Sequence, residues 1–93
     1  MHPDELAGSA MPAAYVRDDR SWIDAQLSTL PPHIRERIAG EYARVYQAAF
    51  DAEPVSFRQE NAGRKAANKR LREFCTRYSP SVRGYTVNPP KTV

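Results

Sequence analysis

The sequence predicts an all-α fold, a small domain of three helices, on three observations. Between residues 18 and 78 the apolar side chains recur with the period of a helix. Two proline-bearing breaks, "LPPH" at 30–33 and "DAEPVS" at 51–56, cut that span into three parts. The strand-like run, "VRGYTV" at 82–87, has nothing to pair with, and a lone strand is not stable.

Residues 1–17 hold Pro3, Gly8 and Pro12 without a sustained period and read as a flexible lead. The helical domain occupies 18–78. Its first helix, about 19–30, can be capped by Asp18 or Asp19, and Trp22, Ile23, Leu27 and Leu30 share one face. Pro32 bars its predecessor from helical geometry but suits the first turn of the next helix, so the first helix ends where the second begins.

The second helix is predicted over 32–52. Ile34, Ile38, Ala39, Tyr42, Val45, Tyr46, Ala49 and Phe50 fall within about 160° of arc at 100° per residue. So wide a stripe touches two neighbours, which makes this the central helix. Its outer edge, at Tyr46 and Phe50, is where a partner or a homodimer contact would form.

The third helix is predicted over 57–78, with Ser56 and Gln59 in the spacing of a capping box. Phe57, Gly63, Ala67, Leu71, Phe74, Cys75 and Tyr78 lie within about 120° and form its core face. Gly63 and Ala67 are small enough to let the second helix come close; at Gly63 a leucine should overpack the contact and an alanine should be accepted. Beyond Tyr78, Pro80, Gly84, Pro89 and Pro90 argue against helix and predict an extended tail over 79–93, in which Tyr85 is available to a base or a partner's pocket.

A chain of 93 residues is one domain with a modest core. Its charged fraction of 27% and apolar fraction of 41% lie outside the range of disordered chains. No run approaches the roughly 20 apolar residues of a membrane span, so a membrane is not an expected partner. The opening "MHPDELAGSAMPAAYVRDD" lacks the basic and apolar regions of a secretory signal, and a single cysteine, Cys75, excludes an internal disulfide. Both point to the cytoplasm.

The net charge of +3 conceals a division. Residues 1–54 carry five arginines against nine acids, a net of −4, and residues 55–93 carry nine cations against Glu60 and Glu73, a net of +7. Within the basic part Arg58, Lys65 and Arg72 repeat every seven residues beside Lys69. These four cations fall within about 60° of arc, nearly opposite the apolar face of the third helix. At 1.5 Å per residue the stripe spans about 21 Å, enough for several backbone phosphates or for an acidic protein surface. The plain alternatives are a solvated helix face and mutual attraction of the two halves.

Catalysis has no recognisable support. His2 lies in the lead and His33 in a first helical turn, neither beside a nucleophile, and no phosphate loop, metal-ligand spacing or carboxylate pair is present. Cys75 is near Arg72 and Arg77 but sits on the apolar arc, which predicts a buried, inert thiol. Neither a cofactor nor a metal is expected. Helix-turn-helix spacing is also absent, and Asn61 and Asn68 read as solvent-facing polar residues.

The stretches "YARVYQAAFDAEP" and "ENAGRKAANKRLREF" resemble short, poorly characterised proteins of temperate bacteriophages and prophages, over about residues 30–74. The resemblance implies a non-enzymatic protein acting by binding on the replication, recombination or defence machinery of a host cell. It assigns no functional residue. Two expectations follow: a nucleic-acid-binding module using Arg58, Lys65, Lys69 and Arg72, or an inhibitor or adaptor that docks on an acidic face of a host nucleic-acid-processing protein, anchored by Tyr46, Phe50 or Tyr85.

Overall fold

The computed structural model describes residues 10–83, with side chains as far as Tyr78. A single 3-10 turn, Arg17–Asp19, leads into α1 (Arg20–Leu27), followed by α2 (Pro32–Ala52) and α3 (Ser56–Arg83). Among the described residues there is no strand, and the all-α three-helix fold is the one the sequence predicts.

The breaks act as expected. Pro31 is extended, with φ −61° and ψ 150°, and Pro32 occupies the first turn of α2, where a missing N–H costs nothing. The short link from Ala52 to Ser56 folds α3 back along α2, and these two helices share the main contact of the molecule. Ile23, Leu27 and Leu30 pack from α1 and its exit turn onto Ala39, Tyr42 and Tyr46 of α2 and Ala67, Leu71 and Cys75 of α3. Full burial of each Leu or Ile is worth about 1.5–3 kcal/mol, so three such residues make α1 an integral part of the core.

Several ends differ from their sequence expectation. α1 closes at Leu27, and residues 28–30 form a turn in which Thr29 and Leu30 donate backbone N–H groups to Gln26 and Leu27. The carbonyls of Leu27 and Leu30 also accept from the Arg35 guanidinium, through Nε at 3.0 Å and Nη2 at 2.7 Å. A cation at a helix C-terminus is favoured by the dipole as well as by the hydrogen bonds.

The Ser56–Gln59 capping box does not form as predicted: Gln59 Nε2 donates to the carbonyls of Phe50 and Glu53, both at 3.2 Å, and so ties α3 to the C-terminal end of α2. α3 continues through Pro80 to Arg83, five residues past its expected end. One proline removes one hydrogen bond from a helix of 28 residues, in which each further residue adds one. Residues 84–93 of the predicted tail, with Tyr85 and Lys91, lie outside the described residues, as do residues 1–9 with His2.

Residues 10–16, part of the lead expected to be flexible, have no helix, and Met11, Ala14, Tyr15 and Val16 pack against the core. They add apolar cover that a helical period cannot reveal. Phe57 is a clear correction. The helical wheel puts it on the core arc of the third helix, yet it is 83% exposed: it stands at the edge of that arc in the first turn of α3, a turn that contributes no residue to the core.

At Gly63 the close approach is as expected. A Cβ there would lie 2.9 Å from Tyr46 Cε2 and 3.0 Å from both Tyr46 Cδ2 and the Tyr46 carbonyl oxygen. Gly40, by contrast, has open space around it. The expected tolerance of alanine at 63 is therefore revised: a backbone carbonyl cannot swing aside as a flexible side chain can. Gly63→Ala is expected to lose about 1–3 kcal/mol to overpacking, against about 1 kcal/mol gained in helix propensity. Gly40→Ala, with the gain and no clash, is expected to stabilise by roughly 0.5–1 kcal/mol. Thermal melts followed by circular dichroism should move in opposite directions; a Gly63→Ala melt that rises with that of Gly40→Ala would show that the two helices are farther apart than this.

Candidate functional site

Asp19 connects the fold to the surface of interest. It is the residue before α1 and was expected to cap that helix, but its side chain makes no cap hydrogen bond. Its carboxylate is buried, at 8% exposure, and receives Arg64 in bidentate fashion, Nε to Oδ2 at 2.9 Å and Nη2 to Oδ1 at 2.6 Å. Asn68 Nδ2 adds a third hydrogen bond to Oδ2 at 3.1 Å, and the Tyr42 hydroxyl donates to Asn68 Oδ1. The chain Tyr42–Asn68–Asp19–Arg64 thus joins α2, α3 and the turn before α1. Asn68 is accordingly a structural link and not the plain solvent-facing residue expected.

Burial by itself would raise the Asp19 carboxyl, but the hydrogen bonds from Arg64 and Asn68, with the Arg64 charge, outweigh it and hold the group below its ordinary 3.8. The Tyr42 phenol is pushed up, by burial first and then by the Asp19 charge. Both groups keep one protonation state across the neutral range. The network is a fixed support.

That support sets the outward face of α3. Arg58, Lys65, Lys69 and Arg72 are all exposed, as the sequence predicts, and among the described residues none of them forms an ion pair. They are not equivalent. Lys65, Lys69 and Arg72 line one shallow concavity with Asn61 and Asn68, next to the Arg64–Asp19 pair, and Glu73 is an acid on its wall. The Arg72 guanidinium lies over the Trp22 ring of α1, 5.5 Å from the centroid, which steers it. Arg58 stands apart, in the first turn of α3, with its guanidinium 5.7 Å from the ring centroid of Phe57.

The expected aromatic anchors fare differently. Tyr46 is 6% exposed, closed over by Gly63, and so is not at an outer edge. Phe50 stacks on it, with centroids 6.1 Å apart, and is half-buried against the core. Tyr85 lies outside the described residues. Among the described residues Phe57 is the large apolar side chain that does stand in solvent, and a helical wheel could not single it out, because it places Phe57 on the buried arc.

Cys75 is buried, with burial raising its thiol and Sγ 3.5 Å from the Gln26 carbonyl, which fits the expected inert thiol. Among the described residues no cluster of three metal-ligating side chains exists, and no helix is long and apolar enough to cross a membrane. In comparisons with protein-family models, curated proteins and solved structures, nothing matches this chain.

Asp19 gives the site a pH dependence. A carboxyl held low in the folded state contributes stability that is present above its unfolded value, near 3.8, and lost as the pH falls through the folded value. Asp19→Asn removes that contribution, so the variant is expected to melt below the parent at pH 7, the gap closing as the pH is taken from about 5 to below 3. Melts across this range check it. A gap that is the same at every pH would assign the loss to shape and not to charge.

Proposed function

We infer that this chain acts by binding, and that the exposed face of α3 engages the phosphate backbone of a nucleic acid. The observation that carries this reading is the common surface of Lys65, Lys69 and Arg72, three accessible cations beside a concavity with two asparagine amides and no ion-pair partner among the described residues. From Lys65 to Arg72 the helix rises about 10 Å, close to three steps of one strand at about 3.4 Å each. Phosphate contact of this kind positions a protein without reading sequence. On this reading binding is expected to be indifferent to sequence.

The lone, buried Cys75 thiol is consistent with a reducing cytoplasm as the working compartment. A second target is favoured by a different observation, the exposure of Phe57 beside Arg58. An aromatic next to a cation suits the acidic surface of a protein, such as a host nucleic-acid-processing enzyme that this chain would inhibit or recruit.

Lys65→Gln combined with Lys69→Gln is the clean test, because neither side chain holds the fold together. The variant should melt like the parent. On a generic labelled duplex, fluorescence anisotropy is expected to show weaker binding and a plot of log affinity against log salt shallower by about two. An unchanged slope, or a parent that fails to bind duplex and single strand at low salt, overturns the nucleic-acid reading. If Phe57→Ala then abolishes binding to an acidic protein partner, the second target takes its place.

A further inference from the structure

Two helices packed side by side leave two grooves along their seam. In this molecule α1 fills one of them, placing Ile23, Leu27 and Leu30 over Tyr42, Leu71 and Cys75. The groove on the other side is open among the described residues and forms a cavity of about 320 Å³. Its floor is Ile38, Leu71 and Phe74, with the Tyr42 ring beneath, and its rim is Arg37, Arg70 and Arg77. Phe74 is held in place by stacking on Tyr78, centroids 5.6 Å apart and planes 11° from parallel, so the floor exists before any partner arrives.

The rim has one acid, Glu41. Its carboxylate already accepts from Arg44 and lies 3.7 Å from Arg70 Nη2. Those two interactions leave Arg37 and Arg77, both exposed, without an acid among the described residues. An apolar floor framed by arginines differs in kind from the Lys65–Lys69 face, which has no such floor. A phosphate backbone gains nothing from Ile38 and Phe74, whereas an amphipathic acidic segment satisfies both parts at once.

We propose that this groove receives an acidic amphipathic helix of a partner protein, with apolar anchors on the floor of Ile38, Leu71 and Phe74 and carboxylates on Arg37, Arg70 and Arg77. The rim runs along α3 from Arg70 to Arg77, about 10 Å or two turns, which matches anchors at i, i+3 or i+4, and i+7 of a docked helix. Arginine rather than lysine at all three rim positions suits planar, bidentate pairing with carboxylates.

The test uses the full chain, labelled with ¹⁵N, and three designed helical peptides. One carries Leu anchors flanked by Glu, a second has Gln for every Glu, and a third has Ser for every Leu. The Glu/Leu peptide is expected to shift the amide resonances of Ile38, Leu71 and Phe74, and each control to bind at least about tenfold more weakly. Arg37→Glu with Arg77→Glu is expected to lose the peptide by a similar factor, whereas Lys65→Gln with Lys69→Gln is expected to keep it. Should the double Glu variant fail to fold, Arg77→Gln with the same three peptides decides. The proposal is overturned by a Glu/Leu peptide that does not bind, by a Gln/Leu peptide that binds as well, or by shifts centred on Lys65 and Lys69. It is also overturned if sedimentation shows a dimer of this chain that Arg37→Glu with Arg77→Glu dissolves, for the occupant is then a second copy.

Discussion

The contact between Gly63 and Tyr46 governs the spacing of the whole molecule. Where α3 has no side chain, α2 presents a tyrosine ring and a backbone carbonyl at 2.9–3.0 Å from the missing Cβ position, which is as near as two helices with side chains in their interface can come. That separation is what lets small residues such as Ala39 and Ala67 be fully buried without leaving a void. It also places Tyr42 within reach of Asn68, one turn beyond Gly63, so the polar chain that ends on Asp19 exists only because the seam is tight. Widening the seam would therefore loosen α1 as well, since Ile23, Leu27 and Leu30 pack into the same core as Tyr46.

Asp19 shows how a small domain fixes the position of its shortest helix. A helix of eight residues has little stability of its own and depends on what holds it to its neighbours. A buried carboxylate is costly unless it is paired and hydrogen-bonded, and here Arg64 and Asn68 supply three hydrogen bonds. The arrangement tolerates one position of α1 and penalises others, since any slide would strand the charge. Arg35 adds a second restraint from the far end, where it closes the carbonyls of Leu27 and Leu30. Among the described residues the acidic first part of the chain and the basic last part do attract one another, as one reading of the charge division held, through this buried pair and the surface pairing of Glu41 with Arg70 rather than through a general charge layer.

Much of this was legible in the sequence, and the boundary of legibility is physical. Periodicity located α2 to the residue, because Pro32 and Pro54 fence it and its stripe is broad. It located the outward cations and the close approach at Gly63, because both depend only on angle around a helix. What periodicity cannot carry is depth along the axis and the destination of a polar group. Phe57 has the right angle and the wrong height, in a first turn of α3 that contributes no residue to the core. Asp19, Gln59 and Asn68 each had a plausible local role, a cap, a capping box, a solvent-facing amide, and each instead bonds to a different element. Short-range rules assign such groups to near neighbours, and a three-helix fold offers distant ones at equal distance.

The same geometry separates two surfaces that composition alone would merge into one basic half. α1 lies in one groove of the seam, and its Trp22 meets Arg72 there, so the cations on that side are backed by a polar network and spread over a shallow face. On the other side nothing described fills the groove, and Arg37, Arg70 and Arg77 are joined to exposed parts of Ile38 and Phe74. Cations of the first kind act at a distance and are screened by salt, since little apolar surface is removed from water when a phosphate arrives. Cations of the second kind act beside a floor whose burial is insensitive to salt, so their contribution is to select an acidic partner against others of equal apolarity. One long helix thereby carries two chemistries, and the short helix decides which side has which by occupying one groove and leaving the other.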